Sequence, residues 1–436
     1  MSQPSPLKDT KFSDLGLSAK LLAHLTKLNF ITPTPIQLQA IPAATKGQDV
    51  IGIAQTGTGK TLAFALPALE QIMSSHKQAL IILPTRELAM QVVETIQQVG
   101  RPFDIRHALL IGGASMGQQI QAIRRQPQFI VATPGRLIDH MQSKNISLHK
   151  VGVLVLDEAD RMLDMGFAPQ INQILNAIPK DRQTLLFSAT MPPQIRTIAT
   201  RHMKNPVQVN VAPSGTVADR VDQKLFVVNH DQKNRLLDKL LTDYGQTILV
   251  FSRTKHGAKR ICRVVRQMKH SAAEIHSNLS LSQRKRSLEG FKSGKFRVLV
   301  ATDIAARGID VSNIELVINY DLPDNLDDYV HRVGRTGRAG QAGQAISFVT
   351  PDQRGKIRGI ERLVRKRLEV TPLPELPAHR PQLNHTEERS DYRDNYRSKY
   401  PRSNNRRPSR SSHGQSNTRS DSRPPSRQKK RVRTHF

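Results

Sequence analysis

Between Asp49 and Val211, short apolar runs alternate with longer stretches in which apolar residues return every three or four positions. The runs are Val50-Ile51-Gly52-Ile53 and residues 79–83, 108–111, 129–132, 151–156 and 184–187. Nearly continuous runs of this kind suit strands buried on both faces of a parallel sheet, with the helical stretches as crossovers. A second series follows at residues 225–228, 247–251, 274–276, 298–301, 316–318 and 345–349. The pattern predicts an α/β chain with two tandem parallel-sheet domains. Ahead of them, Leu17, Leu21, Leu22, Leu25 and Leu28 mark a helix with Ser18 as its cap. Thr32-Pro33-Thr34-Pro35 breaks that helix, and a second one starting near Pro35 carries Gln37.

Breakers at Ala212-Pro213-Ser214-Gly215-Thr216 predict a linker over 212–220, so the domains are expected at 31–211 and 221–370, after an N-terminal extension over 1–30. Thr371-Pro372-Leu373-Pro374 is expected to end the second domain. Residues 371–436 are rich in Ser, Arg, Asn and Pro, a composition that buries too little surface to offset chain entropy, and they read as a disordered basic tail. There Tyr392, Tyr396 and Tyr400 interleave with Arg393, Arg397 and Arg402, a pattern suited to single-stranded nucleic acid; a purely solvating tail is the plain alternative.

Charge narrows the partner. With 66 Lys+Arg against 36 Asp+Glu the net charge is +30, which points to a polyanion, most simply nucleic acid. A membrane surface is the rival, but the sequence shows no amphipathic helix with a strongly basic face and aromatic anchors. With no bilayer-length apolar stretch and no signal peptide at Met1-Ser2-Gln3-Pro4, a soluble, cytoplasmic protein is expected. The one cysteine, Cys262, excludes an internal disulfide and reads as a structural thiol in a helix over 255–268. The 15 histidines lack paired ligand spacing, so no zinc site is expected.

The candidate chemistry lies at strand ends. Ala54-Gln55-Thr56-Gly57-Thr58-Gly59-Lys60-Thr61 follows a strand and precedes an apolar helix, the context of a phosphate-binding loop, although Ala54 stands where the general pattern has glycine. Gly57 and Gly59 let backbone N–H groups face phosphate oxygens, Lys60 supplies charge, and Thr61 can ligate magnesium. The run Val153-Leu154-Val155-Leu156 ends in Asp157, Glu158 and Asp160. Asp157 is expected to hold magnesium and Glu158 to serve as general base for water attacking a γ-phosphate. Asp160 is expected to bond to a neighbouring loop such as Ser188-Ala189-Thr190. In His331-Arg-Val-Gly-Arg-Thr-Gly-Arg338, Arg332, Arg335 and Arg338 recur every third residue and suit fingers toward a γ-phosphate bound by the other domain, which would couple hydrolysis to domain closure. Gly113, Thr133, Gly135 and Thr302 fall at or beyond strand ends, where N–H groups and hydroxyls can grip a nucleic-acid backbone without reading bases, and Arg86 and Arg136 begin helices there.

Together these residues resemble the DEAD-box ATP-dependent RNA helicases over about residues 10–370, and Asp157-Glu158-Ala159-Asp160 spells the family's name. The resemblance implies RecA-like domains, ATP and Mg²⁺ as cofactors, and RNA-dependent ATP hydrolysis with local unwinding of short duplexes and ribonucleoproteins. By that likeness Phe12, Phe30 and Gln37 read the adenine, although family members commonly have glycine before the second aromatic, where Asn29 stands. Pro84-Thr85-Arg86-Glu87-Leu88-Ala89, Gly112-Gly113 and Thr133-Pro134-Gly135-Arg136 match RNA-contacting segments of the first domain. Val250-Phe251-Ser252-Arg253-Thr254, residues 283–286 and Ala301-Thr302-Asp303 through Asp310 match the second. Asp310 is implied at the ribose, Arg335 and Arg338 at the γ-phosphate, and His331 and Arg332 at the junction between domains. The compact core and basic tail look most like the bacterial RhlE-type members. An RNA clamp or annealing factor without productive unwinding is the alternative; a binding module with a dead nucleotide site is opposed by Lys60, Thr61, Asp157, Glu158, Arg335 and Arg338. RNA is expected as substrate over DNA, with ribosomal or decay-machinery proteins as partner classes and the chain a monomer.

Overall fold

The computed structural model describes residues 10–55, 57–75, 77–211, 221–306, 311, 314–337, 343–364 and 366–378, without the side chains of residues 304 and 327. The linker over 212–220, the tail beyond residue 378, Thr56, Asp310 and Arg338 therefore lie outside the described residues.

The first domain holds strands β1 (Val50–Ile53), β2 (Gln78–Ile82), β3 (His107–Leu110), β4 (Phe129–Ala132), β5 (Val151–Leu156), β6 (Gln183–Ser188) and β7 (Val207–Asn210). Helices α1 (Ala19–Lys27) and α2 (Pro35–Thr45) precede β1; α3 (Lys60–Ser74), α4 (Arg86–Gly100), α5 (Met116–Arg124) and α6 (Pro134–Gln142) lie between β1 and β5. Helices α7 (Ala159–Asp164), α8 (Ala168–Ala177) and α9 (Pro193–His202) follow β5 and β6. The second domain has β8 (Val221–Val227), α10 (Lys233–Asp243), β9 (Ile248–Phe251), α11 (Lys255–Gln267), β10 (Ala272–Ile275), α12 (Leu281–Lys292) and β11 (Val298–Ala301). It continues through α13 (Asp303–Ala306), β12 (Leu316–Asn319), α14 (Leu326–Val333), β13 (Gly343–Val349), α15 (Arg354–Val364) and β14 (Glu369–Thr371).

The strands form two seven-stranded sheets, ordered β3-β4-β2-β5-β6-β1-β7 and β10-β11-β9-β12-β13-β8-β14. Every paired neighbour is parallel. Counted from its own first strand, the second sheet repeats the order of the first, so the two domains are the same RecA-like layout used twice. Alternation along single strands shows why the runs are apolar throughout. Val153 and Val155 enter one apolar layer and Leu154 and Leu156 the other. The second sheet is packed the same way, Val298 and Val300 on one face and Leu299 and Ala301 on the other. With no polar face on either side, the only way for these strands to meet a ligand is at their ends.

The order of the first sheet matters for function. Only β6 separates β1 from β5, so the segments leaving the three carboxyl ends lie about 5 Å from neighbour to neighbour. The edge strands β7 and β14 are missing from the apolar runs. Val207-Gln208-Val209-Asn210 is only partly buried, and Glu369-Val370 is exposed, so neither stands out against loop sequence. Ser18 does occupy the cap position of α1, but its hydroxyl makes no capping bond; its backbone N–H donates instead to Glu70 Oε1 at 2.7 Å. The break expected at Thr371–Pro374 does not end the packed chain. Arg235 Nε donates to the Pro377 carbonyl at 2.7 Å, Nη2 donates to that of Leu376 at 3.2 Å, and Leu376 packs against the second core. No helix among the described residues is long and apolar enough to cross a membrane. Cys262 is buried, and burial pushes its thiol up to about 11, as a structural rather than a reactive cysteine requires.

Candidate active site

The phosphate loop leaves β1 with Ala54 still bonded to the sheet, its N–H donating to the Ser188 carbonyl at 3.0 Å. Ala54 is buried in the core and has no positive φ, so glycine is not needed there. Gly59 is different. It has φ +91°, and a Cβ on it would run into Gln37 and Thr34. Gln37 occupies that space for a reason: Oε1 accepts from Thr34 N at 2.9 Å and Nε2 donates to the Gly59 carbonyl at 2.9 Å. The residue expected at an adenine edge thus also fastens α2 to the phosphate loop. Asn29 has φ +61°, the left-handed region that glycine adopts freely and asparagine tolerates better than most residues. Of the two aromatics, Phe12 lies in the first core at 4% exposure and offers no free ring as it stands, whereas Phe30 is half-buried.

Lys60 begins α3 and is buried, with Nζ 3.0 Å from Glu158 Oε1. Arg161 Nε lies 3.1 Å from the other oxygen of Glu158, and both of these side chains are 2% exposed. Burial opposes charge on Glu158, but Arg161 and then Lys60 outweigh it and hold the carboxyl well below the ordinary range. Burial likewise works against charge on Lys60, and Glu158, Asp157 and Asp160 overcome it to raise the ammonium above its usual value. Glu158 has φ +54°, an unfavourable conformation for a residue with a Cβ, at the turn that starts α7; its N–H donates to Asp157 Oδ1 at 3.0 Å.

Asp157 differs from its neighbour. Burial raises it to about 7, only partly countered by Lys60, and Glu158 pushes it the same way as burial. Such a carboxyl is short of positive charge. No group of three or more His, Cys, Asp or Glu able to hold a metal is found among the described residues. Magnesium, however, commonly takes only one or two protein oxygens and completes its shell with water and phosphate. The Asp157 carboxylate and the Thr61 hydroxyl beside the loop are hard oxygen donors, and the missing charge at Asp157 fits a divalent cation.

The same shift makes a stability prediction. Between about 3.8 and 7 the folded chain keeps a proton on Asp157 that the unfolded chain has released, so Asp157 costs the folded state more as pH rises through that window. At about 1.4 kcal/mol per unit, the ceiling is about 4 kcal/mol. Asp157→Asn is therefore expected to be more stable than wild type at pH 8, with the difference shrinking toward pH 4, although inactive. Denaturant titrations of both proteins at the two pH values check this, and a difference independent of pH rules it out.

Asp160 is committed to the adjacent strand end. Oδ2 accepts from Ala189 N at 3.1 Å, Thr190 N at 2.8 Å and Thr190 Oγ1 at 2.9 Å, while Asp160 N donates to Ser188 Oγ at 3.2 Å. The acidic turn and the 188–190 loop are thereby bonded to each other.

The second domain meets this cluster. Burial, then Arg161, pushes His331 down to about 4, with Asp160 opposing, and Arg335 is among the cations that depress Glu158. Arg335 is 3% exposed, and its Nε donates to the His331 carbonyl at 3.3 Å. Arg332 is not a finger. Its guanidinium is held inside its own domain by Asp303 (2.5 and 2.7 Å), Asn319 (3.2 Å) and the Asp321 carbonyl (2.6 Å), and it lies over the Phe251 ring. The expectation that it faces the other domain is corrected: a fully buried guanidinium needs this many acceptors at home. A direct link between domains lies elsewhere, where Arg284 Nε on α12 is 2.7 Å from Glu87 Oε1 on α4, both buried.

The strand-end segments expected to touch nucleic acid gather along one edge in each domain. Thr85 caps α4, its Oγ1 accepting from Leu88 N at 3.4 Å, with Pro84 just before it. The Arg86 guanidinium lies against Gly112 and Gly113, in space a Cβ at Gly113 would take, and Gly113 has φ +79°. Thr133 and Pro134 start α6, Gly135 faces open space, and Arg136 Nη1 donates to the Ala114 carbonyl at 3.3 Å. In the second domain Thr254 caps α11, accepting from Gly257 N at 3.0 Å. Asp321 Oδ2 accepts from Arg253 N and Ser252 Oγ, and the buried Lys233 donates to Asp321 Oδ1 at 3.1 Å. Thr302 closes β11 and starts α13. A cavity of about 800 Å³ lined by Lys77, Arg106, Ile130 and His149 lies at the opposite strand ends, remote from this chemistry.

Four of these residues were not legible as site residues in the sequence. Arg161 was signalled only by its place three residues after Glu158, one helical turn on. Glu87 and Arg284 stood inside quoted motifs without a role, and Lys233 looked like an ordinary helix lysine.

Comparison with known proteins agrees in order and extent. A family profile described as DEAD/DEAH box helicase matches residues 34–198, and one described as helicase conserved C-terminal domain matches residues 232–340. The chain is 43% identical over 368 residues to the ATP-dependent RNA helicase CshA of Listeria monocytogenes, covering 84% of this chain and 71% of that protein. It is 43% identical over 366 residues to the ATP-dependent rRNA helicase RRP3 of Candida albicans, covering 83% and 68%. Among solved structures, S. cerevisiae Dbp5 bound to RNA and ADP BeF3 superposes with a TM-score of 0.75 at 31% identity, covering 84% of this chain and 96% of that one.

Proposed function

We propose that this chain, which belongs to the DEAD-box family of ATP-dependent RNA helicases, works by exchanging the partners of one buried lysine. The chain is an RNA-dependent ATPase and RNA helicase. The observation that carries the proposal is Lys60 seated on Glu158 at 3.0 Å while Arg161 holds the other oxygen.

ATP entering the phosphate loop offers Lys60 a stronger partner in its β- and γ-phosphates. Lys60 then leaves Glu158, which keeps Arg161 and regains basicity, and can orient water in line with the γ-phosphate. Thr61 and Asp157 would hold Mg²⁺, which supplies charge neutralisation at the phosphates when bound. Gln37 and Phe30 would address the adenine, Asp310 the ribose, and Arg335 with Arg338 the γ-phosphate. Asp160, through Ser188 and Thr190, and His331 at the junction would link the acidic turn to domain closure. Pro84, Thr85, Arg86, Gly113, Thr133, Pro134, Gly135, Arg136, Arg253, Thr254 and Thr302 would grip RNA by its backbone, consistent with relatives solved on RNA. Closure around a bent strand would separate a short duplex locally. Placement among RhlE-type members rests on the compact core and basic tail alone; the relatives named above do not carry that name.

The test is ATP turnover beside strand displacement, with and without RNA. Turnover stimulated by RNA and displacement of a short duplex that requires ATP are the expected pair. RNA-stimulated turnover without displacement would leave a clamp or annealing factor.

A further inference from the structure

Helix α11 presents a face of one charge sign. It carries Lys255, His256, Lys259, Arg260, Arg263 and Arg266, all exposed, and no carboxylate. Ala258, Ile261, Cys262 and Val265 form its buried side, and the cations stay at the surface, where Lys255 Nζ donates to Asn278 Oδ1 at 3.1 Å and Arg266 Nε donates to the Ala272 carbonyl at 3.0 Å. The helices on either side of it in sequence behave as solvated helices usually do: α10 pairs Lys239 with Asp243 at 2.6 Å, and α12 sets Lys285 3.6 Å from Glu289. Among the described residues no carboxylate pairs with a cation of α11. A strongly basic helical face therefore exists here after all. It lacks the aromatic anchors of a membrane-surface helix, which favours a polyanion that offers charge without an apolar phase.

Position supplies the identity of that polyanion. Thr254 caps this helix and Arg253 precedes it, so the basic face starts where the candidate RNA edge of the second domain stops. Lys255, Lys259, Arg263 and Arg266 follow one another at spacings of four, four and three, which sets them in one row along the helix. The row rises about 16 Å, a length over which one strand of a duplex presents about five phosphates.

We propose that α11 is a track for RNA phosphates outside the cleft, extending the backbone grip from Arg253–Thr254 to the flank of the bound strand. The proposal rests on the reading of the cleft as the RNA site. In it, RNA long enough to leave the cleft gains charge contacts that short RNA cannot reach, and the gain is independent of sequence.

The test uses the full chain with Lys255→Gln, Lys259→Gln and Arg263→Gln combined, all solvent-facing, and a non-hydrolysable ATP analogue. Binding is measured to an RNA of about six nucleotides, within the site sizes of single-strand grooves, and to one of about twenty, across a range of salt. For the longer RNA, binding should weaken roughly tenfold and the log–log salt slope should become shallower by about two, at about 0.7 per lost phosphate contact. Binding of the short RNA should stay at the wild-type value. A control replaces Arg358 and Arg362 of α15 and Lys366 just after it, and should leave the longer RNA unaffected. Unchanged binding of the longer RNA, as expected if the face serves an acidic protein, overturns the proposal; so does an equal loss on both RNAs, or the same loss in the control. Wild-type protein that fails to bind even the short RNA would instead remove the reading of the cleft.

Discussion

Glu158→Gln is expected to lower RNA-stimulated ATP turnover by about 10²- to 10⁴-fold, the usual contribution of a positioned general base, while leaving ATP binding within a few-fold of wild type. Lys60 and Arg161 divide the two oxygens of Glu158 between them, and together they override burial and keep the carboxyl far below its ordinary pKa. A carboxylate so stabilised is a poor base. It becomes a better one only when Lys60 moves to a phosphate, so activation of the base and arrival of the substrate are a single event. Glutamine can still accept a hydrogen bond from Arg161, so the loop should still accept ATP; it cannot take a proton from water.

The consequence reaches the RNA. If opening of the cleft follows hydrolysis, the Glu158→Gln protein should hold RNA in the presence of ATP for much longer than wild type does. Single-turnover hydrolysis and the lifetime of the ATP-dependent RNA complex are the measurements. Wild-type turnover removes Glu158 from the base position, and lost turnover with an unchanged lifetime separates opening of the cleft from hydrolysis.

Those parts of the architecture that depend on local pattern were legible in the chain. Runs such as Val153 to Leu156 are apolar because alternate residues enter different layers, and that two-sided burial distinguishes a central parallel strand. Loops at strand ends were legible for the related reason that carboxylates and glycines interrupt such runs abruptly. The β7 and β14 edges were not, since these two strands expose part of their surface and lose the contrast that the better-buried edges β3 and β10 keep. Pairing over long separations was equally hidden. Nothing near Glu87 indicates that Arg284 is its partner, and nothing in the spacing of Arg332, Arg335 and Arg338 separates an arginine buried against Asp303 from one facing the other domain. Residue type and local spacing announce that a site exists; which cation meets which anion is decided by the sheet order.

Lys60→Ala is expected to act in the opposite sense from Glu158→Gln, and the contrast isolates the partner exchange. Without the ammonium, the loop keeps its backbone N–H groups but loses the charge that meets the β- and γ-phosphates, and ATP affinity should fall at least about 100-fold, near 3 kcal/mol. Removing one member of a buried pair ordinarily costs about 3–5 kcal/mol because the partner is stranded. Glu158 retains Arg161 here, so the stability loss should fall toward the lower end of that range or below it. The ATP-dependent RNA complex that Glu158→Gln prolongs should not form at all in Lys60→Ala. The two defects should not add: the double variant should match Lys60→Ala in ATP binding and turnover, because base activation cannot fail where the substrate never displaces the lysine. Calorimetric titration of ATP into the three variants, with denaturant curves for each, measures both quantities. Near wild-type ATP affinity in Lys60→Ala would mean that the lysine is a structural counter-ion of Glu158 only, and the exchange would have to be abandoned.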